Sequence, residues 1–306
     1  YLENANISLI YALLCSSFYN KSPDNIIGVT GTNGKTSIVD FCRQMWSLAG
    51  WNSASIGTLG VKYLNDNNYK NNTNNLTTLD PMELHNQLSS LHKKNITHLA
   101  LEASSHGIIQ NRIAGINFTG AVFINLSHDH LDFHNSTQNY YNAKKLLFTN
   151  YLKEGSIVSI NLDDKYGETL FESIKNKNFR FINFGKHHKA DLKIKKIVNI
   201  KKIWQIELEY KNRLITTNIG LIGNFQVYNA LAAASICLGL NMDEEFIFKS
   251  LSYLKTVPGR MQVVSGHPKK ALIIIDYAHT PDALKNAILS VRKNNSEGKI
   301  YTLFGC

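Results

Sequence analysis

The sequence predicts an α/β protein: a mainly parallel-sheet P-loop ATPase core, one antiparallel insert, and the start of a second, Rossmann-like unit. Three observations lead there. Short apolar runs alternate with helix-length amphipathic stretches over most of the 306 residues. A glycine-rich loop ending in Lys35-Thr36 separates the first clear run from the first such stretch. From Asp191 to Asn218 the pattern switches to alternation, as around Ile203, Gln205, Ile206 and Leu208, which reads as antiparallel strands.

The elements follow in order. Asn25 to Thr30 is a short apolar strand stopped by Gly31. Thr36 to Ala49 has helical spacing through Ile38, Phe41, Cys42, Met45 and Leu48, and Gly50 is its expected C-cap. Asn65 to Asn75 is Asn-rich and polar, a loop. Pro81 to Lys94 is a helix with proline near its start. Thr97 to Ala103 and Gly120 to Leu126 are buried strands, and Thr137 to Tyr151 is a helix with Thr137 as N-cap. Strand, helix and strand follow at Ser156–Asn161, Lys165–Lys175 and Phe179–Phe184. Beyond the insert, Asn224 to Leu238 is an Ala-rich helix and Asp243 to Leu251 another. Pro258-Gly259 breaks the pattern and marks a boundary. Ala271 to Asp276, Pro281 to Val291 and Lys299 to Phe304 then read as strand, helix and strand. Right-handed crossovers would join the parallel strands.

Composition narrows the function classes. Hydrophobic residues make up 43% of the chain, enough for a core. No run approaches the ~18 apolar residues a membrane span needs. Ile7 to Tyr19 is apolar but interrupted by Ser8, Cys15, Ser16 and Ser17, and it lacks the basic start and small-residue cleavage site of a signal peptide. The expectation is a cytoplasmic monomer without a membrane partner. Cys15, Cys42, Cys237 and Cys306 form no C-x-x-C pair, so buried thiols are expected rather than zinc or disulfides. The net charge of +10 is spread over scattered lysines, with no aromatic-interleaved stripe to bind nucleic acid. Residue 1 is Tyr rather than Met, and Tyr301 to Cys306 reads as a strand at its carboxyl end; a chain truncated at both ends is the expectation.

Three local patterns carry chemistry. The first is Gly28-Val29-Thr30-Gly31-Thr32-Asn33-Gly34-Lys35-Thr36. Its glycines let backbone N–H groups turn toward phosphate oxygens, the helix start adds partial positive charge, Lys35 adds a full one, and the Thr36 hydroxyl can hold Mg²⁺. Val29 stands where the longer nucleotide loop has glycine, so this is the short G-x-x-G-K-T form. The second is Glu102, at the carboxyl end of its strand, where ligands gather in open α/β sheets; it is either a Mg²⁺ ligand or a solvated strand end. The neighbouring Ser127-His128-Asp129-His130-Leu131-Asp132-Phe133-His134 superficially suggests a binuclear metal hydrolase, but Phe133 intervenes before the last histidine and a phosphate loop has no place in that chemistry. The third is Lys144, on a helix face with Tyr140 and Leu147. It is either a desolvated, reactive amine or a lysine that snorkels to water.

Taken in order, Gly-Thr-Asn-Gly-Lys-Thr, Glu-x-Ser-Ser-His-Gly, Asn-Leu-x-x-Asp-His-Leu-Asp-x-His, Ala-Lys-x-x-Leu, Gly-Arg-Met and Asp-Tyr-Ala-His-Thr-Pro-Asp-Ala-Leu resemble the Mur ligases, from about Leu2 to Cys306. Among them the likeness is greatest to the MurE type, which adds the third amino acid to a UDP-N-acetylmuramoyl dipeptide. The resemblance implies three domains. Residues 1–24 would be a remnant of the UDP-binding domain, 25–257 the central ATP-binding domain, and 258–306 a truncated C-terminal domain. It implies ATP contacts at Gly31, Thr32, Asn33, Gly34, Lys35, Thr36, Gln226, Asn229, Arg260 and Asp276. It implies Mg²⁺ at Thr36, Glu102 and His130, and a carbamylated lysine at Lys144. Catalysis would rest on Lys35, Glu102, His130 and Lys144. Thr77, Thr78, Ser104, Gln110 and Arg112 would meet the UDP-muramoyl-dipeptide, and an amino acid, lysine or diaminopimelate, would be the other substrate. Leu76 and Gln226 depart from the family's usual asparagines.

The implied reaction phosphorylates a substrate carboxylate with ATP, and an amine then displaces phosphate to give the amide. With its C-terminal part cut short, this chain alone is expected to form none. Two rivals remain: a folylpolyglutamate- or cyanophycin-type synthetase, which shares the loop, and a nucleotide-binding remnant without ligase activity.

Overall fold

The computed structural model describes residues 6–63, 76–200, 203–268, 271–294 and 298–305. The loop expected at Asn65 to Asn75 lies outside them.

Helix α1 (Ile7–Tyr19) leads into β1 (Asn25–Thr30), the phosphate-loop candidate and α2 (Lys35–Leu48). Gly50, at φ +79°, lets the chain leave α2 in a left-handed turn that L-residues disfavour. A hairpin, β2 (Ser53–Gly57) and β3 (Gly60–Tyr63), precedes α3 (Pro81–Lys93), whose N-cap Asp80 accepts the Met82 N–H. Then come β4 (His98–Glu102), the short α4 (Ser105–Ile109), β5 (Phe118–Phe123), the single turn α5 (Leu131–His134) and α6 (Thr137–Asn150). The cap of α6 is Ser136, whose hydroxyl accepts the Asn139 N–H, so the cap falls one residue before the expected Thr137.

Strand β6 (Leu152–Ile160), α7 (Lys165–Ile174) and β7 (Arg180–Phe181) complete a seven-stranded sheet in the order β3-β2-β4-β1-β5-β6-β7, parallel except for the β2–β3 hairpin. The strand expected at Phe179–Phe184 is two. The chain leaves the first sheet after Phe181, and β8 (Phe184–Gly185) starts a second with β9 (Leu192–Ile200), β10 (Ile203–Tyr210) and β11 (Arg213–Ile219). The Asn183 N–H turns to the Asp191 carboxylate at that corner. In β10 every second residue, from Trp204 to Tyr210, is buried, as alternation requires.

Helices α8 (Asn224–Gly239) and α9 (Glu244–Ser250) return to the main sheet. The period of two in β1 divides the core. Ile27 and Val29 face α2, α8 and the insert, whereas Ile26 faces the side covered by α3, α6 and α7. Phe41 and Trp46 are fully buried on the first side and Phe148 on the second. Truncating any one to alanine would cost about 3–5 kcal/mol.

Beyond Pro258, β12 (Gln262–Val264) and β13 (Ile273–Ile275) form an antiparallel pair followed by α10 (Pro281–Asn294). The strand expected at Lys299–Phe304 is not one. No described strand lies beside it to complete a ladder, and Tyr301 and Leu303 are exposed. Among the described residues no helix is long and apolar enough to cross a membrane. Cys15, Cys42 and Cys237 are free and buried.

Candidate active site

Strands β1, β4 and β5 are adjacent and parallel, so their carboxyl ends open on one crevice. The loop after β1 is shaped by Asn125, which follows β5. Its Oδ1 accepts from the Thr32 and Asn33 N–H groups at 3.1 and 2.9 Å, and its Nδ2 donates to the Asn33 carbonyl. Gly34, at φ +94°, starts α2, and no side chain caps that helix end. A Cβ on Gly34 would sit 2.4 Å from Asn229 Oδ1 of α8, so only glycine fits. Asn229 in turn donates to Gln226 Oε1, and both are buried.

Lys35 folds back over the loop and donates to the Gly31 and Thr32 carbonyls at 3.0 and 2.9 Å. Burial pushes its pKa down; Glu102 opposes that and Arg260 adds to it. Arg260 reaches across from the C-terminal segment: its Nη2 donates to Thr36 Oγ1 at 2.9 Å, and its guanidinium lies 4.7 Å from the centre of the Tyr277 ring. Asp276 accepts the Met261 N–H at 2.7 Å and so fixes the turn that presents Arg260. Burial raises the Asp276 pKa.

Glu102 ends β4 fully buried. Thr58 donates its N–H to Oε1 and its hydroxyl to Oε2, at 2.9 and 3.2 Å. Gly57 makes room, since a Cβ there would lie 2.0 Å from Oε1. Thr58 also bonds Thr77, while the Thr78 hydroxyl donates to the Glu102 carbonyl and accepts the Ser104 N–H. Arg112 donates to the Thr78 carbonyl and to Gln110. Beside them a cavity of about 320 Å³ is lined by Ser8, Tyr11, Leu76, Asp80, Gln110 and Arg112. The residues expected to meet the dipeptide thus form one network that begins at Glu102.

On the other wall, Lys144 of α6 is 1% exposed, which settles its two readings against snorkelling. Its Nζ donates to the Gly31 carbonyl at 2.9 Å and lies 4.3 Å from the centre of the Tyr140 ring. Burial, and then the charge of Lys35, push its pKa well below the ordinary lysine value. The Tyr140 hydroxyl meets Thr32 Oγ1 at 3.3 Å. His130 is exposed beside Asp129, with its ring edge-on to that of His106. The part of its ring that is shielded from water is the main cause of its lowered pKa, opposed by Asp129 and reinforced by Lys35 and Lys144.

Asn125 and Thr58 are the two residues that sequence reasoning passed over. Asn125 opens one of the ordered motifs, directly after a strand, and that position was its signal. Thr58 had none, because the β2–β3 hairpin was not foreseen.

The donor chemistry suits Mg²⁺-nucleotide. Thr36 offers a hydroxyl. Glu102 keeps lone pairs beyond the two that Thr58 uses. Among the described residues no three His, Cys, Asp or Glu side chains are grouped to hold a metal by themselves. Mg²⁺ commonly takes only one or two protein ligands and completes its shell with phosphate oxygens and water.

The model of the Mur ligase middle domain matches residues 29–237, and that of the Mur ligase glutamate ligase domain matches 259–306. The UDP-N-acetylmuramoyl-L-alanyl-D-glutamate--2,6-diaminopimelate ligase of Agrobacterium fabrum is 37% identical over 298 residues, 97% of this chain and 60% of the relative. A solved structure with that same enzyme name superposes with a TM-score of 0.78 at 30% identity, over 94% of this chain and 58% of the other. The MurF ligase of Thermotoga maritima, solved in complex with ADP, shares the fold with a TM-score of 0.69 at 22% identity, over 95% and 62%. The chain spans about 60% of the length of the curated relatives it matches. With two family domains matched in order and the phosphate loop, Glu102 and Lys144 converging on one crevice, the chain belongs to the Mur ligase family.

Proposed function

We propose that this chain carries the ATP-handling part of an ATP-dependent amide ligase of peptidoglycan synthesis. In this reading the ligase adds a third amino acid to UDP-N-acetylmuramoyl-L-alanyl-D-glutamate in the cytoplasm. The names of its relatives favour 2,6-diaminopimelate over lysine as that amino acid. The observation that carries the reading is the convergence of Lys35, Arg260 and the uncapped start of α2 on one loop, with the Glu102–Thr78–Ser104 network beside it.

A carboxylate is a poor electrophile until it has a leaving group. Transfer of the γ-phosphoryl of ATP supplies one, and the transferring group is highly anionic, so the protein's task is positioning and positive charge. The α2 backbone N–H groups, Lys35 and Arg260 provide these. Thr36 and Glu102 would hold Mg²⁺, and His130 a second ion; bound Mg²⁺ would neutralise charge developing on the phosphoryl oxygens. Thr77, Thr78, Ser104, Gln110 and Arg112 would orient the dipeptide so that its carboxylate faces the phosphate. Gln226 and Asn229 would back the nucleotide, and Asp276 would hold the Arg260 turn.

Lys144 would be the carbamylated lysine, a reading that its burial and lowered pKa support. A neutral amine attacks CO₂, losing a proton and forming an N–C bond, and the carbamate nitrogen keeps one N–H that can still donate to the Gly31 carbonyl. The product is an anion suited to orienting a metal.

Beyond Pro258 the chain buries little: Ile273, Ile275 and Leu289 are 40%, 50% and 46% exposed. We therefore expect these 306 residues alone to bind nucleotide weakly and form no amide. Titration with Mg²⁺-ADP and, separately, UDP-muramoyl-dipeptide tests the assignment. Binding of folate in place of the dipeptide would favour the folylpolyglutamate reading.

A further inference from the structure

His130 has a left-handed backbone, with φ +51°. Most other non-glycine positions of positive φ among the described residues are asparagine, which with aspartate and histidine adopts that conformation more often than other residues do. A histidine there keeps its imidazole at a backbone cost, and such conformations persist only where neighbours over-determine them. Three contacts do so here. The Asp129 carboxylate accepts the His130 N–H at 2.9 Å, and the His130 carbonyl accepts the His134 N–H at 3.0 Å. The third is the His134 side chain, which is 5% exposed and meets Ser105 Oγ through Nε2 at 2.9 Å. Ser105 follows Ser104, the α4 cap bonded to Thr78, so this contact ties the turn bearing His130 to the dipeptide wall. His106 packs into the same seam, with ring centroids 4.1 Å from Phe133 and 5.0 Å from His130.

We propose that His134 is a positioning residue: its bond to Ser105 holds α5 so that His130 stays left-handed, at a fixed offset from Thr78 and Ser104. The inference rests on reading His130 as a phosphate-side, Mg²⁺-linked group. Without it, α5 would relax, and His130 would turn away from the loop while the loop itself kept its shape.

The test compares His134→Gln, which reaches as far as Nε2, with His134→Leu. Each is made alone and with His130→Ala, and the unfolding midpoint serves as a check on folding. The first readout is the crystal structure of His134→Leu, where His130 should leave the left-handed region. The second is affinity for the non-hydrolysable analogue AMP-PNP. His134→Leu should weaken it roughly ten-fold with Mg²⁺ and leave it unchanged in EDTA; His134→Gln should stay within about two-fold of the parent. On the His130→Ala background, His134→Leu should add nothing. If the Leu variant does not fold, His134→Asn, polar but too short, replaces it with the same expectations. Retention of φ near +51° in the Leu variant, or an equal loss in EDTA or on the His130→Ala background, would overturn the proposal. If His130→Ala alone leaves the Mg²⁺-dependent affinity unchanged, the phosphate-side reading of His130 fails, and the His130 conformation decides the positioning claim by itself.

Discussion

Arg260 and Thr36 lie 224 residues apart in sequence, yet Nη2 of one donates to Oγ1 of the other at 2.9 Å. The segment beyond Pro258 thus touches the phosphate loop at the residue proposed to hold Mg²⁺, and adds a positive charge that Lys35 also senses.

Arg260→Lys should weaken ADP binding about ten-fold or more, because a lysine ammonium lacks the planar fork and its stacking on Tyr277. The unfolding midpoint should barely move. Calorimetric titration checks the first expectation and a thermal melt the second; an unchanged ADP affinity would remove Arg260 from the site.

Gly57→Ala should displace the Glu102 carboxylate, since the added Cβ would fall 2.0 Å from Oε1. The expected signature is loss of the Mg²⁺-dependent part of nucleotide affinity, with the affinity in EDTA kept. Thr58→Val, which removes one of the two donors to Glu102, should show the same pattern more weakly.

Lys144 gives a pH signature. Its folded-state pKa is depressed, so below the ordinary lysine value near 10.4 the unfolded chain binds the extra proton and stability rises with pH. In CO₂-free buffer, Lys144→Met should therefore stabilise the fold most at neutral pH, and the gain should shrink toward pH 10. With bicarbonate present, mass spectrometry should find the added CO₂ on the parent and not on Lys144→Ala. Activity of a full-length Lys144→Ala ligase should fall, with partial rescue by formate or acetate, while Lys145→Ala stays near neutral. A flat difference between parent and Lys144→Met melts from pH 7 to 10 would refute the burial account.

His98 stacks on Trp51, with ring centroids 4.4 Å apart, and burial lowers its pKa to about 4. A base held neutral in the fold contributes fully above pH 6.5. That contribution drains away as pH falls from about 6.5 to 4, up to about 3 kcal/mol before discounting for partial exposure. His98→Phe should flatten the acid limb of the stability curve measured by denaturant titration; an unchanged limb would contradict this.

The sequence made the main sheet legible because β1, β4 and β5 are short apolar runs bounded by clear breakers and separated by helices of regular period. The β2–β3 hairpin escaped because its turn, Gly57-Thr58-Leu59-Gly60, follows an ordinary polar stretch. Phe179–Phe184 read as one strand because nothing local marks the corner; the distant Asp191 makes it. In the site, Lys35 stood at the end of a glycine-rich loop, Glu102 at a strand end and Lys144 on a helix face, where position alone suggests chemistry. Thr58 and the His134–Ser105 contact depend on chain crossings that no local pattern records.

The most direct measurement is product analysis of a full-length polypeptide containing this chain. It would be supplied with ATP, Mg²⁺, UDP-muramoyl-dipeptide and either diaminopimelate or lysine, beside the same polypeptide carrying Lys35→Ala. The account predicts ADP and an amide-linked tripeptide from the parent, with diaminopimelate the better acceptor, and neither product from a folded Lys35→Ala variant. Amide formation undiminished in that variant, or no dipeptide-dependent ADP from the parent, would contradict it.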